Sequence, residues 1–175
     1  MDWAGRHPWV TAGLALIIGV ALAIPVVAYV IVPQFARSTL VEPPPTATAA
    51  TSSAAGSPGV PSATPAAPTM LAQGELVRIS VADYGSGTVR VLQVGTDRVL
   101  RFESVDIAGA PDMYVYLSDR DDGKPGTYVD LGKLKATNGS FNYAVPASVE
   151  LGAIRSVVVW CRQFSVTVTY AVLGR

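Results

Sequence analysis

Cys161 closes the apolar run Ser156-Val157-Val158-Val159-Trp160, and Arg162 follows it. It is the single cysteine of a 175-residue chain. Without a second cysteine there is no intrachain disulfide. The sulfur is then a small buried hydrophobe, an intermolecular linker or a reactive thiol. Thiol chemistry needs solvent access and a stabilised thiolate. The run stops at Cys161, which favours access, and Arg162 brings a positive charge next to it. Successive strand residues point to opposite faces, however, so Arg162 need not approach the sulfur. Cys161 is the candidate redox thiol. The alternative is a packing role, in phase with Val157 and Val159 on a strand that is apolar on both faces.

The other residue types close off most site chemistry. The one histidine is His7, near the N-terminus. A histidine triad, a histidine metal site and histidine ligation of haem are thereby removed from the C-terminal part. One cysteine gives neither a four-cysteine iron–sulfur site nor a CxxC pair. Gly85-Ser86-Gly87 has no helical pattern after it and reads as a turn, not a phosphate loop. Asp119, Asp121 and Asp122 precede Gly123 and offer oxygens to a cation such as calcium. Their spacing departs from the EF-hand and no Glu closes the loop, so a solvated turn is the better reading and no metal site is assigned. Asn138-Gly139-Ser140 fits the glycosylation pattern, but Asn-Gly is also a hairpin turn, and it reads as a turn. Tyr114 and Tyr116 share one strand face, either as a binding platform or as cross-strand packing. Acyl, phosphoryl and metal-assisted enzymes lack their groups, so no enzyme activity is assigned.

The elements that position these residues are strands. Val77, Ile79 and Val81 alternate at period two, as do Met113, Val115 and Leu117, then Phe141, Tyr143 and Val145, then Val166, Val168, Tyr170 and Val172. Val89 and Val91 give way to Leu92 and Val94, and Leu100 and Phe102 to Val105 and Ile107. A period-two pattern changes face only through an extra residue or a bend, so β-bulges are expected at both places. Turn residues separate the runs, and none of them has a helical period. About eight short strands predict an all-β sandwich or barrel over residues 74–175. The chain carries 13 Lys+Arg and 13 Asp+Glu. That balance argues against a nucleic-acid surface, which needs a basic excess.

Two further segments precede this domain. From His7 through Ala36 there is no Lys, Arg, Asp or Glu. Residues 10–32, almost wholly apolar, would reach about 34 Å as a helix, enough to cross a bilayer. Ala21 and Ala23 have the spacing of a signal-peptidase site, but the apolar run continues past them, so an uncleaved signal anchor is expected. Arg6 and Arg37 flank the span and give only a slight lean to an N-terminus inside. The expected layout is a cytoplasmic tail over 1–9, a transmembrane helix over 10–32, and a disordered linker over 33–73. The domain over 74–175 then lies outside the cell. Residues 43–68 are Pro-, Ala-, Thr- and Ser-rich and cannot bury enough apolar surface to order themselves. As a tether they would span about 80 Å extended or about 30 Å as a coil.

Several pieces in order resemble the DM-thirteen domain family. They are Ser86-Gly87-Thr88-Val89-Arg90-Val91, Leu100-Arg101-Phe102, Gly109-Ala110-Pro111-Asp112-Met113-Tyr114-Val115-Tyr116-Leu117-Ser118 and Tyr128-Val129-Asp130-Leu131-Gly132-Lys133-Leu134-Lys135. Asn142-Tyr143-Ala144-Val145-Pro146 and Ser156 through Val166 complete the set. The resemblance implies a compact β-sandwich-like domain with one characteristic cysteine, matching Cys161. It implies electron transfer at a cell surface, through a bare thiol or a prosthetic group such as haem. It also implies a surface redox partner. Asp112, Tyr114, Tyr116 and Trp160 lie in its two most specific pieces and are the candidate binding residues. One departure stands out. Family members often carry a histidine shortly before the Ser-Gly turn, where this chain has Asp83-Tyr84. Two classes of function remain: a redox accessory domain using Cys161, and a membrane-tethered surface module in which Cys161 is core.

Overall fold

Alternating side chains build two sheets, and the sheets close on each other. The computed structural model describes residues 9, 13, 16–22, 37–46 and 67–175. The chain divides into two units, Met1–Ala36 and Arg37–Arg175. In the first, residues 16–22 are helical and Leu16, Ile17, Ile18, Val20 and Leu22 are exposed. Among the described residues no helix is long and apolar enough to cross a membrane. Most of the span expected over 10–32 lies outside the described residues.

Among the described residues the second unit holds nine strands: β1 (Thr39–Val41), β2 (Thr69–Glu75), β3 (Gly85–Val94), β4 (Asp97–Ile107), β5 (Met113–Ser118), β6 (Tyr128–Lys133), β7 (Asn138–Val145), β8 (Ser156–Cys161) and β9 (Val166–Val172). One sheet runs β1-β7-β4-β3-β2 and the other β6-β5-β8-β9. Every described pairing is antiparallel except β1 with β7, which is parallel. Two stacked sheets make a sandwich, which resolves the choice between sandwich and barrel. The domain boundary also moves. Residues expected in the 33–73 linker supply all of β1 and most of β2, so this unit begins at Arg37.

The core lies between the sheets. Phe102 of β4 stacks on Phe141 of β7 at 5.0 Å, and Tyr143 meets both rings edge-on. Val89, Val91, Leu100 and Ile107 face them from the same sheet, while Val115, Leu117, Val157, Val159, Cys161 and Val168 come from the other. Tyr143 is amphipathic, and its hydroxyl keeps partners. It donates to Lys133 O (3.0 Å) and accepts from Lys135 N–H (2.9 Å).

Three local expectations change. The alternation at residues 76–81 does not form a strand, because Ser80 makes a turn. Its hydroxyl accepts the N–H groups of Ala82 and Asp83, and the N–H groups of Ile79 and Ser80 both donate to Asp83 O. Ile79 and Val81 are consequently exposed. Gly85-Ser86-Gly87 is the start of β3 with a bulge, not a turn. The register slips between Ser86 and Thr88, and Gly87 has φ +98 with a Cβ there falling 2.6 Å from Ser104 O. Asn138-Gly139 opens β7 instead of turning a hairpin.

The expected bulge in β4 is present, between Phe102 and Val105, with Ser104 at φ 50. The other expected bulge sits one strand away. β3 pairs with β4 without a break from Thr88 to Val94, and the slip lies in β2, between Met70 and Ala72, opposite Leu92 and Val91.

Candidate functional site

β8 is the inner strand that carries Cys161. Val157, Val159 and Cys161 point into the core and have no exposure. The Cys161 thiol donates to Pro111 O at 2.8 Å, across the loop that leads into β5. Its cross-strand partner is Met113. A haem does not fit these residues. Ligation by sulfur needs the sulfur to open onto a large apolar pocket, usually with a second ligand opposite. This sulfur faces a backbone carbonyl inside a filled core, and no histidine lies among the described residues.

The outer face of the same sheet is aromatic and charged. Tyr114 and Tyr116 project there from β5, and Trp160 of β8 lies beside Tyr114 in the register. Just past β8, Arg162 turns back onto this face. Its guanidinium carbon lies 3.4 Å from the centre of the Tyr114 ring, a cation–π contact. Its Nε donates to the Tyr116 hydroxyl at 2.7 Å, and its Nη2 donates to Asp130 Oδ2 at 2.5 Å. Tyr128 of β6 stacks on Tyr116 at 4.1 Å with 22° between planes. Lys133 pairs with Asp112 at 3.5 Å and lies 5.9 Å from the Tyr114 ring centre.

The electrostatics follow from those contacts. The Tyr116 hydrogen bond holds the Arg162 guanidinium well above its ordinary range, with desolvation opposing and Asp130 assisting. Burial pushes the Tyr116 phenol up, against the pull of Arg162. Tyr116 is almost fully buried even though it lies on an outer face, because Tyr128 and Arg162 cover it. The arrangement is a fixed cationic and aromatic platform with a half-exposed Tyr114.

Beside it runs an open groove of about 680 Å³, lined by Arg78, Ile79, Lys124, Trp160, Val166 and Tyr170 among others. Phe164 and Val166, in the turn after β8 and at the start of β9, leave apolar surface exposed next to it. The acidic loop is engaged locally. Asp122 is gripped by Arg120 through two hydrogen bonds (3.0 and 2.6 Å), and Asp119 accepts the Thr127 N–H at 3.0 Å.

Of the candidate binding residues, Asp112, Tyr114, Tyr116 and Trp160 lie in one region of the fold. It separates them from Cys161, which faces the opposite side of the sheet. It also adds Arg162, Tyr128, Asp130 and Lys133. These residues meet only through the β5–β6 and β5–β8 registers, which are not written in any one segment alone.

A protein-family model described as "Electron transfer DM13" matches residues 79–173. No curated protein and no solved structure matches the chain.

Proposed function

The chain belongs to the electron-transfer DM13 family, and from that premise we propose that its sandwich is a non-catalytic accessory domain of a surface redox system. The domain meets its redox partner through the outer face of the β6-β5-β8-β9 sheet. Cys161 serves as a core residue. The observation that carries this reading is the complete burial of the Cys161 sulfur, hydrogen-bonded to Pro111 O. A thiol that exchanges electrons or forms a mixed disulfide must be reached by its partner. The outer face has what an interface uses: Tyr, Trp and Arg at its centre and charged residues around them. We place the domain outside the cell, tethered to the bilayer through residues 10–32, on the strength of that charge-free run in the sequence.

The test is the native alkylation rate of Cys161 with a small reagent such as iodoacetamide, compared with the unfolded chain. A rate at least about 100-fold slower in the native protein supports the packing role, because labelling then waits for an opening event. A native rate equal to the unfolded one overturns it and returns the thiol to the centre of the function. Tethering is tested separately. Protease added to intact cells should release the domain; protection until lysis would refute the placement outside.

A further inference from the structure

β1 is three residues long, and the residues that flank it, Ser38, Glu42 and Pro43, carry polar contacts to β7 and its neighbours. Ser38 O accepts the N–H groups of Thr137 (3.1 Å) and Asn138 (2.9 Å) and the Thr137 hydroxyl (3.0 Å). The Ser38 N–H donates to Thr137 Oγ1 at 2.9 Å. At the other end, the Glu42 N–H donates to Ser140 O at 2.7 Å. Both Glu42 carboxylate oxygens are used. One accepts the Asn142 backbone N–H at 2.7 Å and the other accepts Lys135 Nζ at 2.9 Å. Pro43 O accepts from Asn142 Nδ2 (3.1 Å) and from Arg101 Nη1 (3.2 Å), and Arg101 is itself 6% exposed.

The side chains alternate as bound strands do. Leu40 packs against the core and Glu42 is half-buried, while Thr39 is exposed and Val41 is 76% exposed. The receiving strand is shaped for this. Gly139 has φ +108, and a Cβ there would fall 2.1 Å from Leu40 O. Any other residue at that position would push the β1 backbone away.

We propose that the β7 edge, residues 137–142 with Arg101 and Lys135, is a binding site for an extended peptide. It selects the pattern aliphatic, any, acid at the positions of Leu40, Val41 and Glu42, and residues 38–43 occupy it in cis. The mode is strand addition: backbone hydrogen bonds give affinity, and pockets for alternate side chains give specificity. Lys135 and the Asn142 N–H read the acid. Arg101 and Asn142 Nδ2 hold the Pro43 carbonyl, an acceptor every residue carries, so this contact fixes the backbone and not the side chain. Docking of this segment also bypasses the Pro- and Thr-rich stretch, because residues 47–66 then join two strands of one domain. On release, residues 37–68 become free chain of up to about 100 Å at about 3.1 Å per residue.

The test uses the full chain in detergent, with a site-specific protease sequence substituted within residues 47–66 and an affinity tag at the C-terminus. After cleavage, the N-terminal fragment should stay on the tagged domain through washing. Excess synthetic peptide of residues 37–46 should displace it, and the same peptide carrying Glu42→Lys should not. The chain variant Glu42→Lys should lose retention at least tenfold while the thermal melt of the domain stays cooperative. Immediate loss of the wild-type fragment on cleavage would overturn the proposal. So would equal displacement by the two peptides, or retention unchanged in Glu42→Lys.

Discussion

Cys161 and Arg162 are consecutive, yet they serve opposite sides of the second sheet. The sulfur is fixed to Pro111 O inside the core, and the guanidinium is fixed to Tyr116, Tyr114 and Asp130 outside it. The charge that sequence proximity offers to the thiol is spent on phenols and a carboxylate instead.

Cys161→Ala should therefore cost stability. It removes a buried sulfur and leaves Pro111 O without its thiol donor, together worth about 1–2 kcal/mol. Denaturant unfolding checks this, with the midpoint lowered and the slope unchanged. A variant as stable as the wild type would show that the sulfur is not a packing element.

Tyr116→Phe removes the acceptor of Arg162 Nε and leaves ring packing on Tyr128 intact. The Arg162 Nε–H should then exchange with solvent several-fold faster by NMR, and the near-ultraviolet tyrosine signal should fall. An unchanged exchange rate would mean that Asp130 and the Tyr114 ring alone hold the guanidinium.

Alkaline pH should weaken the fold through Tyr143. Burial pushes its phenol up to about 12, against an ordinary value of about 10. The folded state keeps this proton where the unfolded chain loses it. Stability from this group is complete below pH 10 and is lost as pH rises toward 12, by an amount on the order of 2 kcal/mol. Tyr143→Phe should flatten that part of the stability profile, measured by urea midpoints from pH 9 to 12.

Gly87→Ala and Gly152→Ala form a matched pair. Gly87 lies at φ +98, with Ser104 O in the way of a Cβ, so alanine there should cost more than about 2 kcal/mol. Gly152 has open space and no positive φ, so alanine there should change stability by less than about 0.5 kcal/mol. Thermal melts of the two variants, run together, check the difference.

How much of this was readable from the residues depends on the range of the forces involved. β5, β7 and β9 announce themselves by alternation, and β8 by a run apolar on both faces, because each buries side chains locally in phase. β1 did not, since Thr39, Leu40 and Val41 make a strand only by pairing with β7, nearly a hundred residues later. β2 was hidden for a related reason: Thr-Met-Leu-Ala-Gln-Gly-Glu has little apolar alternation, and a slip at Leu71 breaks what there is. Conversely, Val77, Ile79 and Val81 carry a clean period that the Ser80 turn overrides. The platform was half legible. Tyr114 and Tyr116 share a face by spacing alone, but Arg162 and Tyr128 join them only through cross-strand register.

The parallel pairing of β1 also has a mechanical meaning. Any tension applied through residues 1–36 enters the sandwich at Arg37 and loads β1 before any other strand. Its hydrogen bonds to residues 137–142 would rupture first, while the aromatic core of Phe102, Phe141 and Tyr143 stayed closed. Residues 38–43 would then behave as a fuse, yielding length to absorb a pull and re-forming when the load is removed.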